Sequence, residues 1–249
     1  MKPGIFSISI DDGHPADMRM ADLLLKHGLR ATFYIPMRNC EGPPVLTPPA
    51  LRELSQHFEI GSHTLDHRYL TRLSIHDALT QIHDGKAALQ DMLGKKVEGF
   101  CYPGGKYSPL HKKMVQSAGF SYARTTRNFY LSAGTSVYDL PTTLQFYPHP
   151  RTVLLRNFIS QGAWSQRRTA LGVIGHEADW LDRLTLLIDY AARSGSVCHL
   201  WCHSLDIEKL GLWKRLDELL RFAARRFTAP QRMDNIRLVA AAVESNSLI

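Results

Sequence analysis

Two adjacent carboxylates, Asp11 and Asp12, follow a stretch in which bulky and small residues alternate from Ile5 to Ile10. The alternation and the β-branched isoleucines predict a β-strand that ends at these carboxylates. Two like charges at one strand end are costly unless a cation or a shared proton relieves their repulsion. An Asp-Asp-Gly sequence is also typical of a solvated turn. Whether these carboxylates have a functional role therefore depends on which residues lie near them in the fold.

Two histidines four positions apart, His63 and His67, follow another short predicted strand over 58–61. In a helical turn both imidazoles would lie on one face and could bind one metal ion. Taken alone, this spacing more often belongs to unrelated surface or core histidines. Together with Asp12, however, the two imidazoles would leave coordination positions open, as catalytic metal sites do.

A further histidine, His203, ends the predicted strand over 197–203. Strand alternation places His199, Trp201 and His203 on one face and Cys198, Leu200 and Cys202 on the other. The two cysteines are roughly 13 Å apart along the strand, too far to form a disulfide. They are predicted to be buried thiols, and the cysteine pattern does not suggest a disulfide framework.

Predicted strands and helices alternate along the whole chain. The alternation favours parallel β/α units in a single barrel domain over 1–249. Asp12, His63 and His203 are then expected to meet at the C-terminal mouth, where barrel enzymes place their chemistry. The predicted strands are 5–10, 31–36, 58–61, 97–102, 122–126, 138–146 and 197–203, and the predicted helices are 16–27, 47–56, 74–93, 112–118, 152–160, 179–193 and one around 216–227.

Four segments, in this order, resemble the motifs of the polysaccharide deacetylases, the NodB-homology family of carbohydrate esterases. They are Ser9–Gly13, His63–His67, Phe100–Gly105 and Trp201–His203, and the resemblance covers roughly residues 5–205. It implies a distorted (β/α) barrel of about seven parallel strands, with the active site at the C-terminal mouth. It also implies a hydrolase that removes an N-acyl group, acetyl or formyl, from an amino sugar.

The resemblance assigns roles to individual residues. Asp12, His63 and His67 would hold a divalent metal ion, most often Zn²⁺. Asp11 would be the general base that takes a proton from water, and His203 the general acid that protonates the departing amine.

The third motif supplies the expected substrate contacts. Gly104 matches the position whose backbone N–H helps to hold the oxyanion, and Tyr102 is expected to bind substrate. A tight turn is the alternative explanation of the glycines at 104 and 105, which are equally compatible with close approach of a substrate.

The sequence departs from the family pattern at Cys101, where many members carry an arginine that tunes the base. Asp11 is therefore expected to have another partner, or none. Asp179 echoes a family aspartate that orients the acid, although a helix start at Asp179 with Trp180 packed beside it is favoured. The irregular stretch 148–176 fits either a substrate lid or an ordinary surface excursion.

The chain is basic, with 30 Lys and Arg against 23 Asp and Glu and a formal net charge of +7. An excess of basic residues favours anionic substrates or partners. The sequence shows no pattern of basic residues interleaved with aromatic ones, so nucleic-acid binding is not predicted. No apolar run approaches a membrane span, and Met1–Gly4 does not resemble an export signal, so a cytoplasmic protein is expected.

The expected substrate is accordingly an acylated amino sugar in an intracellular precursor, nucleotide- or lipid-linked. Two alternatives stay open: a hydrolase of a small non-sugar amide, and a metal-binding barrel that binds carbohydrate without turnover. The sequence gives no indication of the oligomeric state.

Overall fold

The computed structural model describes residues 2–245. Its strands and helices alternate as the sequence predicts as far as residue 124, and three successive helices precede and follow the last strand. The strands are β1 (Ile5–Asp11), β2 (Thr32–Ile35), β3 (Glu59–Ser62), β4 (Gly99–Cys101), β5 (Tyr122–Arg124), β6 (Leu144–Gln145) and β7 (Val197–His203). The helices are α1 (Asp17–Lys26), α2 (Pro48–His57), α3 (Ile75–Leu93), α4 (Pro109–Ser117), α5 (Arg151–Ser160), α6 (Trp164–Ile174), α7 (Trp180–Ser194), α8 (Ser204–Lys209), α9 (Trp213–Arg226) and α10 (Asn235–Glu244).

All strand pairs are parallel, and the sheet runs in the order β5-β4-β3-β2-β1-β7-β6. Within the described residues β5 and β6 do not pair as strands, but Leu140 bridges the interval between them. Its N–H donates to the Ala123 carbonyl (2.9 Å), and its own carbonyl accepts from Thr125 N–H (2.8 Å). The predicted distorted barrel of seven parallel strands is therefore confirmed.

The two faces of β1 have opposite chemistry. Phe6, Ile8 and Ile10 are fully buried in the large apolar layer between strands and helices. Burial of each such side chain is worth about 1.5–3 kcal/mol. Ser7 and Ser9 point into the barrel instead, where Ser7 Oγ donates to a side-chain oxygen of Asn235 (2.7 Å) and Ser9 Oγ lies 3.0 Å from Nε2 of His199. The barrel interior beside Ser7 and Ser9 is consequently polar, and the helices supply most of the apolar contacts. Ile5, at the start of β1, belongs to a smaller apolar cluster with Leu140 and Leu238.

The predicted alternation of β7 holds as well. Cys198, Leu200 and Cys202 are fully buried in the apolar layer, while His199 lies in the polar interior. All four cysteines of the chain are free thiols, as predicted.

Several segments differ from the prediction, and two helices, α8 and α10, were not predicted at all. Helix α4 begins earlier, at Pro109, because Ser108 and His111 form a capping box. The strand predicted over 138–146 is reduced to Leu144–Gln145, since Val137–Asp139 forms a 3₁₀ turn and Pro141 has no N–H to donate. The stretch 148–176 contains a second helix, α6, that the sequence pattern did not reveal.

Helices α5 and α6 are anchored by Arg167, a wholly buried arginine. Its Nε donates to the Asn128 carbonyl (2.7 Å), and Nη1 donates to the carbonyls of Phe158 (2.8 Å) and Gly162 (2.7 Å). These bonds hold the segment against the barrel wall. None of the helices within residues 2–245 combines the length and the apolar character that a membrane crossing requires.

A carboxyl group lies in the polar network at the end of the barrel opposite to the mouth. Glu59, the first residue of β3, accepts hydrogen bonds from Thr32 Oγ1 (2.5 Å), Tyr122 Oη (2.8 Å) and the backbone N–H of Ile236 (3.1 Å). Burial raises the pKa of Glu59 to about 7, and the nearby Asp234 adds to the rise. The folded protein therefore holds this proton more tightly than the unfolded chain does.

We predict that Glu59 makes the folded state less stable as the pH rises from about 4.5 to about 7. In this interval the folded state binds more protons than the unfolded state, so the free energy of unfolding falls with pH, by on the order of 2 kcal/mol. Denaturant unfolding of wild type and Glu59→Gln at several pH values measures the effect. The difference between the two proteins should change across this interval, and a constant difference would contradict the prediction.

Candidate active site

The C-terminal mouth of the barrel opens into a cleft of about 430 Å³. Six of the seven residues that the sequence singled out line this cleft, although they come from distant parts of the chain; Tyr102 does not line it. The six are Asp11, Asp12, His63, His67, Gly104 and His203, and the other lining residues are Asn39, Glu41, Pro43, Tyr69, Thr126, Trp201, Leu205, Asp206 and Lys209.

Asp12 and the two histidines of the second motif form a compact group. Asp12 Oδ1 lies 3.2 Å from His67 Nε2 and 3.6 Å from His63 Nε2. Asp12 takes a left-handed backbone conformation, with φ of 79°, and Gly13 follows with φ of 63°. Non-glycine residues adopt this conformation at a cost of order 1 kcal/mol. The turn directs the Asp12 carboxylate toward the imidazoles, away from its neighbour Asp11.

The segment of His63 and His67 is not the helical turn that their spacing predicted. Thr64 and His67 have φ of 70° and 58°, which no right-handed helical turn contains. Gln81 of α3 fixes this loop instead: its carbonyl accepts from Leu65 N–H (2.9 Å), and its side-chain oxygen accepts from Asp66 N–H (2.9 Å). The imidazoles still converge, but the loop's contacts with α3 bring them together.

The protonation of His63 suits metal binding. His63 Nδ1 lies 2.9 Å from the Cys101 carbonyl, so Nδ1 carries the proton and the Nε2 lone pair faces Asp12. Burial lowers the pKa of His63 to about 4. For Asp12 burial works in the opposite direction, but the adjacent His67 imidazole and the charges of the surrounding histidines hold its pKa well below the ordinary value.

These three residues could hold a divalent metal ion. Their ligand atoms all lie within 4.8 Å of one another. Asp12 Oδ1 is buried and makes no well-oriented hydrogen bond within the described part of the chain, although two imidazole nitrogens face it. Two nitrogen ligands and one carboxylate oxygen suit Zn²⁺ and similar ions, and leave coordination positions open. The residues present therefore fit the predicted metal site.

Asp11 has a partner that the sequence did not reveal. Its Oδ1 forms a close ion pair with Nη2 of Arg124, a wholly buried arginine at the end of β5. Arg124 and Cys101 are register partners on adjacent parallel strands. An arginine within the predicted strand 122–126 was the available signal, because arginine is almost never fully buried unless it is paired.

His203 also has an unforeseen partner. Its Nδ1 lies 3.1 Å from Asp206 Oδ2, and its Nε2 lies 3.8 Å from Asp12 Oδ2. Burial opposes protonation, but Asp206 and Asp12 outweigh it and raise the pKa of His203 to about 9. Asp179 instead caps α7 by accepting from Leu181 N–H (2.7 Å), as the favoured alternative predicted.

The remaining candidates, Gly104 and Tyr102, differ in their position relative to the cleft. Gly104 faces the cleft with φ of 59°, and a Cβ there would come within 3.1 Å of the Tyr69 ring. Tyr102 is buried beside the cleft, with its hydroxyl donating to the Tyr138 carbonyl (3.2 Å) and its ring stacked on that of Tyr107. In the described structure no residue of 148–176 lines the cleft, so nothing supports a lid in this segment.

The mouth of this parallel barrel carries a set of candidate metal ligands, a buried carboxylate and a protonated histidine. Metal-dependent hydrolases use groups of these kinds. Comparison with known proteins indicates a family resemblance. Residues 1–123 match the family model described as polysaccharide deacetylase. The chain is 27% identical over 135 residues to YxkH of Bacillus subtilis, which carries that family's name, and 32% identical over 117 residues to the peptidoglycan-N-acetylglucosamine deacetylase PgdA of Listeria monocytogenes. The N-terminal half of the chain is therefore similar to the polysaccharide deacetylase family.

These matches are partial in length. They cover 53% of this chain and 48% of YxkH, and 45% of this chain and 23% of PgdA. The fold similarity extends further: a solved T48 deacetylase with substrate is 15% identical, with a TM-score of 0.58 over 96% of this chain and 92% of that one. A family 4 carbohydrate esterase from Streptomyces lividans is 13% identical, with a TM-score of 0.55 over 90% of this chain and 91% of that one. These structures share the fold over nearly the whole chain.

We predict that Gln81→Leu weakens metal binding by about tenfold to a hundredfold, because residues that orient metal ligands typically contribute this much. Competition with a chelating dye measures the affinity. Gln90→Leu on the same helix is the control, since it removes a comparable hydrogen bond to Val97 N–H outside the cleft. Equal affinity in the two variants would show that Gln81 does not organise the site.

Proposed function

We propose that this protein is a metal-dependent hydrolase that removes an N-acyl group, acetyl or formyl, from an amino sugar. The observation that carries the proposal is the meeting of Asp12, His63 and His67 with Asp11 and His203 in one cleft. Its relatives support the proposal, because PgdA is a peptidoglycan-N-acetylglucosamine deacetylase and a relative from Pestalotiopsis is a chitin deacetylase.

The six cleft residues that the sequence predicted each have a role in amide hydrolysis. A divalent ion held by Asp12, His63 and His67, in our proposal Zn²⁺, would supply Lewis acidity to the acyl carbonyl and to water. Asp11 accepts the proton of the attacking water. The backbone N–H of Gly104 faces the oxygen that becomes negative, and His203 gives its proton to the amine as the carbon–nitrogen bond breaks.

Asp206 and Asp12 prepare His203 for this task. A general acid must carry its proton before the amine leaves, and a pKa raised to about 9 keeps His203 protonated at neutral pH. Asp206 also fixes the ring, because it accepts at Nδ1 and so leaves Nε2 directed toward the cleft. Tyr102 is buried, with its ring stacked on that of Tyr107, so in this scheme it is a structural residue and not the substrate contact that the sequence predicted.

The two alternatives differ from this proposal in substrate or in turnover. A small non-sugar amide could be cleaved by the same groups, and a panel of substrates separates the two activities. A barrel that binds carbohydrate without turnover has less support than the sequence suggested. The absence of arginine at Cys101 would favour a barrel without turnover, because the base would then lack its usual partner. Asp11 nevertheless has an arginine partner in Arg124.

Four carboxylates line the cleft, Asp11, Asp12, Glu41 and Asp206, so an anionic group of a substrate would have to meet the few cations at its edge. Among the described residues that line the cleft, Lys209 is the only lysine or arginine, and it is exposed. An adjoining depression shares Glu41, His67 and Tyr69 with the cleft and carries Arg68 and Arg72. We propose that the substrate is a phosphate-bearing glycan precursor, nucleotide- or lipid-linked, and that the protein acts in the cytoplasm.

We predict that Asp11→Asn abolishes acyl release while the protein keeps its metal, because Asp11 accepts the proton but is not a ligand. Acetate and formate release and the metal content of the purified protein are the measurements. His63→Ala is the matched variant and should lose the metal as well as the activity. Unchanged acyl release by Asp11→Asn, or wild-type protein without bound divalent metal, would contradict the proposed function.

We predict that Lys209→Gln raises KM for a phosphorylated amino sugar by up to about fivefold, since an exposed ion pair is worth about 1 kcal/mol or less. KM for the same sugar without phosphate should not change. Lys214→Gln is the control, because Lys214 is an exposed lysine that does not line the cleft. An equal effect on both sugars, or faster release from polymeric chitin than from any precursor, would rule out the phosphate-bearing substrate.

A further inference from the structure

The ion pair between Asp11 and Arg124 lies beneath the floor of the cleft. Arg124 is wholly buried and Asp11 is 2% exposed. Arg124 Nη2 donates to Asp11 Oδ1 and also to Ser9 Oγ, at 3.2 Å. One carboxylate oxygen is therefore held from below by a guanidinium group, while the Asp11 side chain still borders the cleft.

The remainder of the guanidinium group is poorly provided with hydrogen bonds. Within residues 2–245, Nε and Nη1 of Arg124 have no hydrogen-bond partner. The rings of Tyr34 and Trp201 lie 5.1 Å and 5.3 Å from its central carbon and supply cation–π contacts. A buried ion pair of this kind contributes little net stability, because desolvation of the charges offsets their attraction. Its position at the cleft therefore calls for a functional explanation.

The sheet register explains how Arg124 reaches Asp11. Arg124 on β5 is the register partner of Cys101 on β4, so both side chains point into the barrel at the same height. Cys101 Sγ lies 4.0 Å from Asp11 Oδ2. The short cysteine side chain leaves room for the long arginine side chain to extend past it from the next strand.

We propose that Arg124 is the positioning residue of the base Asp11, supplied from β5 across the short side chain of Cys101. This inference rests on the proposed function. Arg124 holds Oδ1, so Oδ2 is the oxygen that is left to take the proton of the attacking water. The pairing sets the orientation of the carboxylate relative to Asp12, and small errors in such orientation reduce turnover strongly.

Four variants test this assignment: Arg124→Met, Arg124→Lys, Arg124→Cys and the exchange Cys101→Arg with Arg124→Cys. Arg124→Met should lower kcat by about tenfold to a hundredfold, with KM and metal content within about twofold of wild type. Arg124→Lys keeps the charge but loses the planar fork, so its kcat should lie between those of Arg124→Met and wild type. The exchange restores an arginine from the adjacent strand and should be more active than Arg124→Cys alone.

Arg167→Met is the matched control, because Arg167 is also wholly buried but binds backbone carbonyls outside the cleft. It should lower the melting temperature and leave kcat of the folded protein unchanged. If Arg124→Met does not fold, Arg124→Lys and the exchange variant still test the positioning role, since both retain a buried cation.

Two results overturn the inference and are distinguishable. A wild-type protein that releases no acyl group from any substrate of the panel refutes the proposed function and this assignment with it. An active wild type whose Arg124→Met or Arg124→Lys variant retains full kcat refutes the positioning role alone. An exchange variant that is no more active than Arg124→Cys also overturns the positioning role. If the role is correct, an arginine at either register position should be able to hold Asp11.

Discussion

The repulsion between two neighbouring carboxylates, Asp11 and Asp12, is the constraint on which the structure depends. The chain separates them by ending β1 at Asp11 and turning Asp12 into the left-handed region. Each carboxylate then meets its own cationic or imidazole partners: Arg124 for Asp11, and His63 and His67 for Asp12. Two adjacent residues of the same type thereby acquire different chemistry, one as a proton acceptor and the other as a candidate ligand.

This separation is possible because the barrel interior is polar. Along β1 the apolar side chains face the helices, and the serines and Asp11 face inward. Most apolar burial therefore takes place outside the barrel. The inner positions are free to carry hydrogen-bonded and charged side chains, from Glu59 at one end to Asp11 at the other. Such an interior requires partners for nearly every polar group, which is why so many of its contacts join residues far apart in sequence.

The sequence predicted features that depend on local pattern. Strand alternation in β1 and β7, the parallel barrel and the meeting of Asp12, His63 and His203 at its mouth all follow from periodicity and chain order. It did not predict the contacts that depend on register between distant strands, such as Arg124 with Asp11, or on a loop shape set by another helix, as Gln81 sets the loop of His63. Asp206 was not predicted, because the only aspartate that matched the family pattern was Asp179, and the structure is needed to show which carboxylate lies near His203.

The pairing of β1 with β7 has a consequence for how the protein folds. Asp11 and His203 are register partners, so the proton acceptor and the proton donor of the proposed reaction lie on hydrogen-bonded strands at opposite ends of the barrel sequence. During synthesis from the N-terminus, the ligands Asp12, His63 and His67 emerge well before β7. Closing so long a loop carries a large entropic cost and slows folding, so the acid joins the ligand set only in a late folding event.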